Sequence, residues 1–234
     1  MNEIKKDDSL EEYQKKAAHN NRIITQAKAV MKRAKNSGIP NKYLRINQEQ
    51  FRGLISGPNA DKITDFIFQT PLEVLKREFI VIDGGDSVQR KKAGCAILFR
   101  LIACDKYGLY KDSSELAHHL QSIKTFENEY WGRNDIAESL RDVDVLYISE
   151  CQQNHFRPNF ETGSFFDEIL SYRDDHVKTT IVSFSNPLPS GTGAINSEHA
   201  MTDSDRFGHY MCALSHAYKK KDKRFFKVRV KTNG

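Results

Sequence analysis

The stretch that decides the fold is "FIVIDGGDSVQRKKAGCAILFRLIA", residues 79–103. Its first five residues form a short apolar run followed by two glycines, which is typical of a buried strand in a parallel sheet. From Lys91 onward the pattern and length predict a helix. A strand, a turn and a helix in this order form the unit from which open parallel α/β sheets are built.

The same rhythm of strands and helices continues along the chain. Further candidate strands are residues 108–112, 143–149, 178–186 and 224–230. Helical patterns separate them, and residues 8–35 predict one long N-terminal helix that ends before Gly38 and Pro40. We therefore predict an α/β fold, a parallel sheet flanked by helices and preceded by an N-terminal helical segment.

The centre of the opening stretch, "GGDSVQRKKAG", is similar to a phosphate-binding loop, G-x-x-x-x-G-K-[ST]. In such a loop the glycines let backbone N–H groups wrap the phosphates, the lysine neutralises them and the hydroxyl holds magnesium. Two registers fit the sequence, and both lack the second glycine and the hydroxyl. The candidate nucleotide-contacting residues here are Gly84, Gly85, Arg90, Lys91 and Lys92.

Two later strand ends add candidate site residues. The run 143–149 ends in Ser149, followed by Glu150, where a hydrolytic ATPase has Asp-Glu. Ser149 offers no charge to a hydrated magnesium ion, whereas Glu150 is a candidate general base. The run 178–186 ends in Asn186, which could position an attacking water or simply begin a turn.

These strand ends, in this order and spacing, resemble the AAA+ ATPases of the bacterial replicative-helicase loader family (DnaC-type), and are also similar to transposition helper ATPases. The segments that carry the likeness are "NSGIPNKYL" (36–44), "FFDEILSYRDDHVKTTIVSFSN" (165–186) and "DSDRFGHYM" (203–211). The resemblance spans roughly residues 36–231. It places Arg173 at a family arginine, and Arg206 at an arginine that can reach a neighbouring subunit's nucleotide.

The resemblance implies an AAA+-type sheet and a role in DNA replication. We expect a helical partner-docking segment at 1–40 and an AAA+-like domain with an altered phosphate loop at 41–234. The implied protein is a helicase loader-like adaptor that binds a replicative DNA helicase and single-stranded DNA and is encoded by a phage or mobile element. The alternatives are an inhibitor of host replication that mimics a loader, a weak ATPase, or a transposition helper.

The altered motifs favour an adaptor over an enzyme. Glu150, Asn186 and Arg206 occupy the family's catalytic positions, but losing the organisation of the metal should cost several orders of magnitude in rate. We therefore expect that ATP or ADP can bind without being required, and the sequence leaves a role for magnesium open. The family position of Arg206 also allows a homo-oligomer.

Two surfaces are candidates for binding partners. The N-terminal helix carries a heptad seam of apolar and small residues, and its predicted partner-docking residues are Tyr13, Ile24, Ala27 and Met31. The alternative is that this seam packs on the chain's own body. The tail "YKKKDKRFFKVRVK" (218–231) supplies the candidate DNA contacts Lys219, Lys220, Lys221, Lys223 and Arg224. Its alternative is a solvated strand edge.

The composition agrees with a soluble globular protein, because 38% of the 234 residues are hydrophobic and 29% are charged. The chain has neither the ~18-residue apolar run of a membrane span nor the apolar region of a signal peptide, so we expect a cytoplasmic location, the host cytoplasm if a phage encodes it. Its four cysteines form no C-x-x-C pair, which argues against a zinc module and predicts buried structural thiols. We expect no metal site.

Overall fold

A computed structural model describes residues 4–77, 79–123, 129–151, 161–184 and 225–232. Its helices are α1 (Ile4–Asn36), α2 (Gln48–Leu54), α3 (Ala60–Gln69), α4 (Pro71–Val74), α5 (Ser87–Ala103), α6 (Ser113–Ile123), α7 (Glu129–Asp142) and α8 (Glu161–Asp175). Its strands are β1 (Phe79–Gly84), β2 (Gly108–Asp112), β3 (Val145–Cys151), β4 (Thr179–Phe184) and β5 (Phe225–Val230).

The five strands form one parallel sheet in the order β2-β3-β4-β1-β5. The predicted α/β class is therefore confirmed, together with the predicted strands, whose bounds shift by a few residues at most. Because all strands run the same way, the carboxyl ends of β1, β2, β3 and β4 meet at one edge. In open α/β sheets this is the edge where ligands bind.

Both faces of the sheet are covered, and β1 shows how its sequence achieves this. Ile80 and Ile82 point into one core together with α5 and the end of α1. Phe79 and Val81 point into a second core that contains residues of α6, α7 and α8. Side chains alternate between the faces of a strand, so a strand buried on both sides reads as the continuous apolar run seen in the sequence.

Helix α5 crosses the sheet closely because Gly94 faces Tyr147 of β3. A Cβ atom at Gly94 would collide with the Tyr147 ring. The Tyr147 hydroxyl donates to the carbonyl oxygen of Arg90, one turn earlier in α5, at 3.2 Å. This contact brings the first turn of α5 over the end of β3, where the candidate site lies.

The N-terminal segment is one long helix, as predicted, but only its end packs on the body. Ala34 is fully buried and Met31 packs against the core. Upstream, Ala27 is exposed, Tyr13 is 71% exposed and Ile24 is 50% exposed. Of the predicted docking residues, Met31 therefore belongs to the chain's own core, and the other three remain accessible.

The structure differs from the sequence-based expectation at two helices. Helix α7 was not predicted, since its apolar residues Ile136, Ala137 and Leu140 are sparse within a polar segment. Helix α5 begins at Ser87 rather than Lys91, which changes the candidate site. Among the described residues, no helix combines the length and apolar character needed to cross a membrane.

Candidate nucleotide site

The turn that connects β1 to α5 is much shorter than a phosphate-binding loop. Only Gly85 and Asp86 separate the end of β1 from Ser87, the first residue of α5. Gly84 and Gly85 have φ angles of +78° and +54°, which favour glycine. A Cβ atom on Gly84 would lie 2.5 Å from the carbonyl oxygen of Val230, so the turn is pressed against β5.

Asp86 explains why the helix starts early. Its carboxylate accepts a hydrogen bond from the backbone N–H of Gln89 at 2.8 Å, and the Gln89 side chain accepts one from the backbone N–H of Asp86 at 3.2 Å. This capping box places a carboxylate at the N-terminus of α5. In either register of the motif, residues expected to wrap phosphates instead form the first helical turn.

Arg90 is the centre of the site. Its side chain is only 6% exposed. Its guanidinium makes a two-pronged ion pair with Glu150, from Nε to Oε1 at 2.9 Å and from Nη2 to Oε2 at 2.6 Å. Its Nη1 donates to the carbonyl oxygens of Gly84 and Gly85 at 3.0 and 2.7 Å. Arg90, which occupies the second-glycine position in the register that begins at Gly85, therefore ties the turn to the end of β3.

Hydrogen bonds to both the backbone and the side chain of Glu150 fix its position. Its φ angle of +57° is unusual for a residue with a side chain, and it lies at a register irregularity between β3 and β4. Its backbone N–H donates to Ser183 Oγ at 2.9 Å, and its carbonyl oxygen accepts from Ser113 Oγ at 2.7 Å. Ser183 Oγ also approaches Oε1 at 3.3 Å. These contacts and the Arg90 pair offset a backbone strain of about 1–3 kcal/mol.

A second ion pair lies beside the first. Lys91 Nζ is 2.6 Å from Asp112 Oδ2, at the end of β2. Ser149 Oγ donates to the same carboxylate oxygen at 3.1 Å and lies 3.0 Å from the Tyr110 hydroxyl. Ser149 is fully buried. The two ion pairs thus bring together two cations and two carboxylates, and the formal charges of these four residues cancel.

The pKa values of Lys91 and Asp112 shift in the directions that favour an ion pair between them. Burial alone would lower the pKa of Lys91, but the hydrogen bond and charge of Asp112 and the charge of Glu150 raise it above its ordinary value. Burial alone would raise the pKa of Asp112, but Lys91 and Ser114 hold it below its ordinary value. Both residues are therefore charged at neutral pH.

These residues, as placed, do not fit a nucleotide with its magnesium ion. The Arg90 guanidinium bonds to the carbonyl oxygens of the turn and to Glu150, and Lys91 bonds to Asp112. Glu150, the candidate base, accepts hydrogen bonds on both carboxylate oxygens. Between Arg90 and Glu150 there is direct contact in place of the gap that a phosphate and a water molecule would need.

The remaining predicted residues fall into two groups. Lys92 is half-buried on α5. Asn186, Arg206 and the predicted DNA contacts Lys219, Lys220, Lys221, Lys223 and Arg224 lie outside the described residues, so their roles stay predictions.

Arg173 is described, and it is a fully buried structural residue. Its guanidinium donates to the carbonyl oxygens of Leu140, Val143 and Thr179 and to the Thr180 hydroxyl. It thereby joins the end of α7 to the start of β4. Burial lowers its pKa to about 10.

The prediction of buried thiols is confirmed for two of the three described cysteines, and Cys212 lies outside the described residues. Cys95 and Cys151 are buried, Cys104 is half-buried, and these three form no disulfide. Burial raises the pKa of the Cys95 and Cys151 thiols, which makes both unreactive. In the same part of the chain, no group of three His, Cys, Asp or Glu side chains is arranged to hold a metal ion.

Several residues of the site were missed by sequence reasoning. Asp112 ends the weakest strand, and Ser113 and Ser183 are common residues in strands and turns. One signal was present: "DSVQ" at 86–89 has the Asp-x-x-Gln spacing of a capping box and predicts a helix start at Ser87. The helix start was nevertheless not predicted there, because the same stretch resembles a phosphate-binding loop.

Comparisons of sequence give no relative. No protein-family profile matches the chain. No curated protein matches it either.

Comparisons of structure do find relatives. The DnaC helicase loader superposes with a TM-score of 0.56 at 13% identity, covering 82% of this chain and 99% of the loader chain. DnaI superposes with a TM-score of 0.53 at 13% identity, covering 83% and 92%. DnaA of Aquifex aeolicus, solved with AMPPCP, gives 0.53 at 11% identity over 82% of this chain.

The chain has the AAA+ fold. The parallel sheet, its flanking helices and the N-terminal helix match the DnaC structure. The chain spans about half the length of the DnaA chain and nearly all of the DnaC chain. This likeness agrees with the resemblance to DnaC-type loaders seen in the sequence, and it places the buried ion pairs at the ligand-binding edge of an AAA+ sheet.

The Arg90–Glu150 pair predicts that Glu150→Gln destabilises the protein. The substitution leaves a buried guanidinium without its counter-charge, which should lower the free energy of unfolding by about 3–5 kcal/mol. Urea denaturation monitored by circular dichroism measures this. The matched control is Glu73→Gln, which removes an exposed carboxylate paired with Lys76 and should change stability by less than about 0.5 kcal/mol. If both variants are equally stable, Glu150 has no structural partner.

The Lys91–Asp112 pair predicts a pH-dependent contribution to stability. Because the pKa of Asp112 is lowered in the folded protein, its contribution is present above about pH 4 and is lost as the pH falls through the folded pKa. The raised pKa of Lys91 makes the contribution decline again above about pH 10.4. The difference in unfolding free energy between wild type and Asp112→Asn should therefore be largest near neutrality and shrink at both extremes. A difference that is constant with pH would contradict the pairing.

Proposed function

We propose that this protein is a helicase loader-like adaptor in DNA replication that works without hydrolysing ATP. The observation that carries the proposal is the buried Arg90–Glu150 pair at the ligand edge of an AAA+ sheet. The pair engages the residue that would act as the base, and it ties down the turn that would wrap phosphates. DnaA structures solved with AMPPCP support nucleotide binding by this fold. The residues of this chain favour a folded state that needs no nucleotide.

The share of each known chain that superposes on this protein supports the assignment as a loader. The likeness extends over nearly the whole DnaC chain, whereas the initiator DnaA is matched over about half its length. One DnaA structure was solved with single-stranded DNA, which supports the same ligand here. The altered loop also favours an origin in a phage or mobile element.

The accessible part of the α1 seam is the proposed helicase-docking surface, with Tyr13, Ile24 and Ala27 as its contacts. Ile23, also 50% exposed, widens it. An apolar stripe on an exposed helix suits a groove on the partner. The remaining seam residue, Met31, anchors the helix to the body.

The proposal predicts a complex with the replicative helicase of the cell that carries the gene, formed equally well with and without MgATP. Ile24→Asp should weaken the complex at least about tenfold, because it places a charge in an apolar contact. Gln26→Asp adds the same charge to an exposed position off the seam and should leave affinity unchanged. Biolayer interferometry measures affinity, and phosphate release measured alongside should stay at background.

Three results would count against the proposal. Binding that requires MgATP, or turnover abolished by Glu150→Gln, would indicate a working ATPase. Capture of a transposase in place of the helicase would favour a transposition helper. A complex that forms but blocks helicase loading in a reconstituted assay would indicate an inhibitor that mimics a loader.

A further inference from the structure

The chain has two concentrations of positive charge, one in and just after α1 and the other in the tail 218–231. Residues 13–48 contain nine lysines and arginines and neither aspartate nor glutamate. The net charge of the whole protein is only +5, so the rest of the chain is net negative. The acidic residues of α1 all precede Tyr13. From that point α1 is a purely cationic helix.

Helical periodicity places most of these charges outside the apolar seam. Arg22, Lys28 and Lys32 lie on one arc of α1 that begins beside the seam and continues behind it, and we refer to these three residues as the cationic face. All three are exposed. At 1.5 Å per residue they form a row about 15 Å long.

The cationic face differs from an ordinary solvated helix surface. Such surfaces intersperse both signs of charge, often as i,i+4 pairs that stabilise the helix. Lys28 and Lys32 are instead like charges at i,i+4, an arrangement that costs the isolated helix about 0.2–0.5 kcal/mol. A polyanion lying along the row would remove this repulsion.

We infer that the cationic face of α1 binds the phosphate backbone of single-stranded DNA. A row of exposed cations without opposing acids suits a ligand whose charges repeat along a line. An anionic membrane would require large apolar side chains along the whole helix, whereas from residue 12 onward α1 exposes three of them, Tyr13, Ile23 and Ile24. The choice of a single strand over a duplex rests on the proposed loader function.

The inference gives α1 two separate surfaces. The seam binds the helicase, and the cationic face holds the strand that the helicase will encircle. Because the two surfaces occupy different arcs of one helix, substitutions on one should leave the other intact. A single rigid element would then fix the distance between the helicase and the DNA.

The test compares two variants of equal net charge. Arg22→Gln/Lys28→Gln/Lys32→Gln removes charges from the cationic face and keeps good helix formers. Lys62→Gln/Lys76→Gln/Lys106→Gln removes the same number of charges from the body. Fluorescence anisotropy with a labelled oligothymidylate over a salt series measures affinity, and helicase binding is measured on the same samples.

We expect the cationic-face variant to bind the oligonucleotide at least about tenfold more weakly, with a plot of log K against log salt less steep by about 2, since each single-strand phosphate contact contributes about 0.7. The body variant should bind like wild type. Equal losses in both variants, or no loss in either, would overturn the inference. Tighter binding of a duplex of the same length, or equal competition by polyglutamate, would also overturn it.

Helicase binding separates this inference from the proposed function. If the cationic-face variant keeps both helicase and DNA affinity, the DNA surface lies elsewhere and the adaptor proposal stands. If the wild type binds DNA through α1 but no helicase, the inference stands and the adaptor proposal fails.

Discussion

The ion pair between Arg90 and Glu150 is the constraint on which the rest of the site depends. Burying two charges is costly, and the cost is met only when geometry is good and the remaining donors and acceptors are satisfied. Here Arg90 also binds two backbone carbonyl oxygens of the turn, and Glu150 is bonded by Ser113 and Ser183. The short turn, the left-handed backbone at Glu150 and the hydroxyls of Ser113 and Ser183 all hold this pair in place.

An AAA+ sheet with its ligand edge neutralised by its own side chains can hold its shape without nucleotide. In a hydrolytic relative, binding and release of a ligand would change the charge at this edge. In this chain Arg90 and Lys91 supply fixed positive charges that Glu150 and Asp112 balance. Under the proposed function, the fold then serves as a scaffold, and the exposed part of α1 carries the partner surfaces.

Much of the fold was predictable from sequence, and the reason is the strength of the apolar patterns. β1, β3 and β4 are buried on both faces. β1 and β3 therefore begin with short apolar runs, β4 is rich in β-branched residues, and the heptad seam revealed α1. Helix α7 was not predicted because it has few apolar positions. For the site, the sequence singled out Arg90, Lys91, Ser149 and Glu150, and the structure places all four near the carboxyl ends of the strands. Their role as nucleotide contacts stays a prediction.

The sequence could not reveal which groups these side chains contact. A cation in this altered loop can contact either a phosphate or a carboxylate of its own chain, and only the three-dimensional placement decides. The partners Asp112, Ser113 and Ser183 are distant in sequence and have common residue types. The start of α5 was predictable from the Asp86–Gln89 capping box, a local rule that outweighs a partial motif match.

A double-mutant cycle on Arg90 and Glu150 tests the central claim most directly. The unfolding free energies of wild type, Arg90→Met, Glu150→Leu and the double variant give the energy that couples the two side chains. If the pair neutralises the site, each single variant strands a buried charge, the double variant recovers much of the loss, and the coupling energy is about 2–3 kcal/mol. Losses that add to within about 0.5 kcal/mol would show that Arg90 and Glu150 act independently, and would contradict the account.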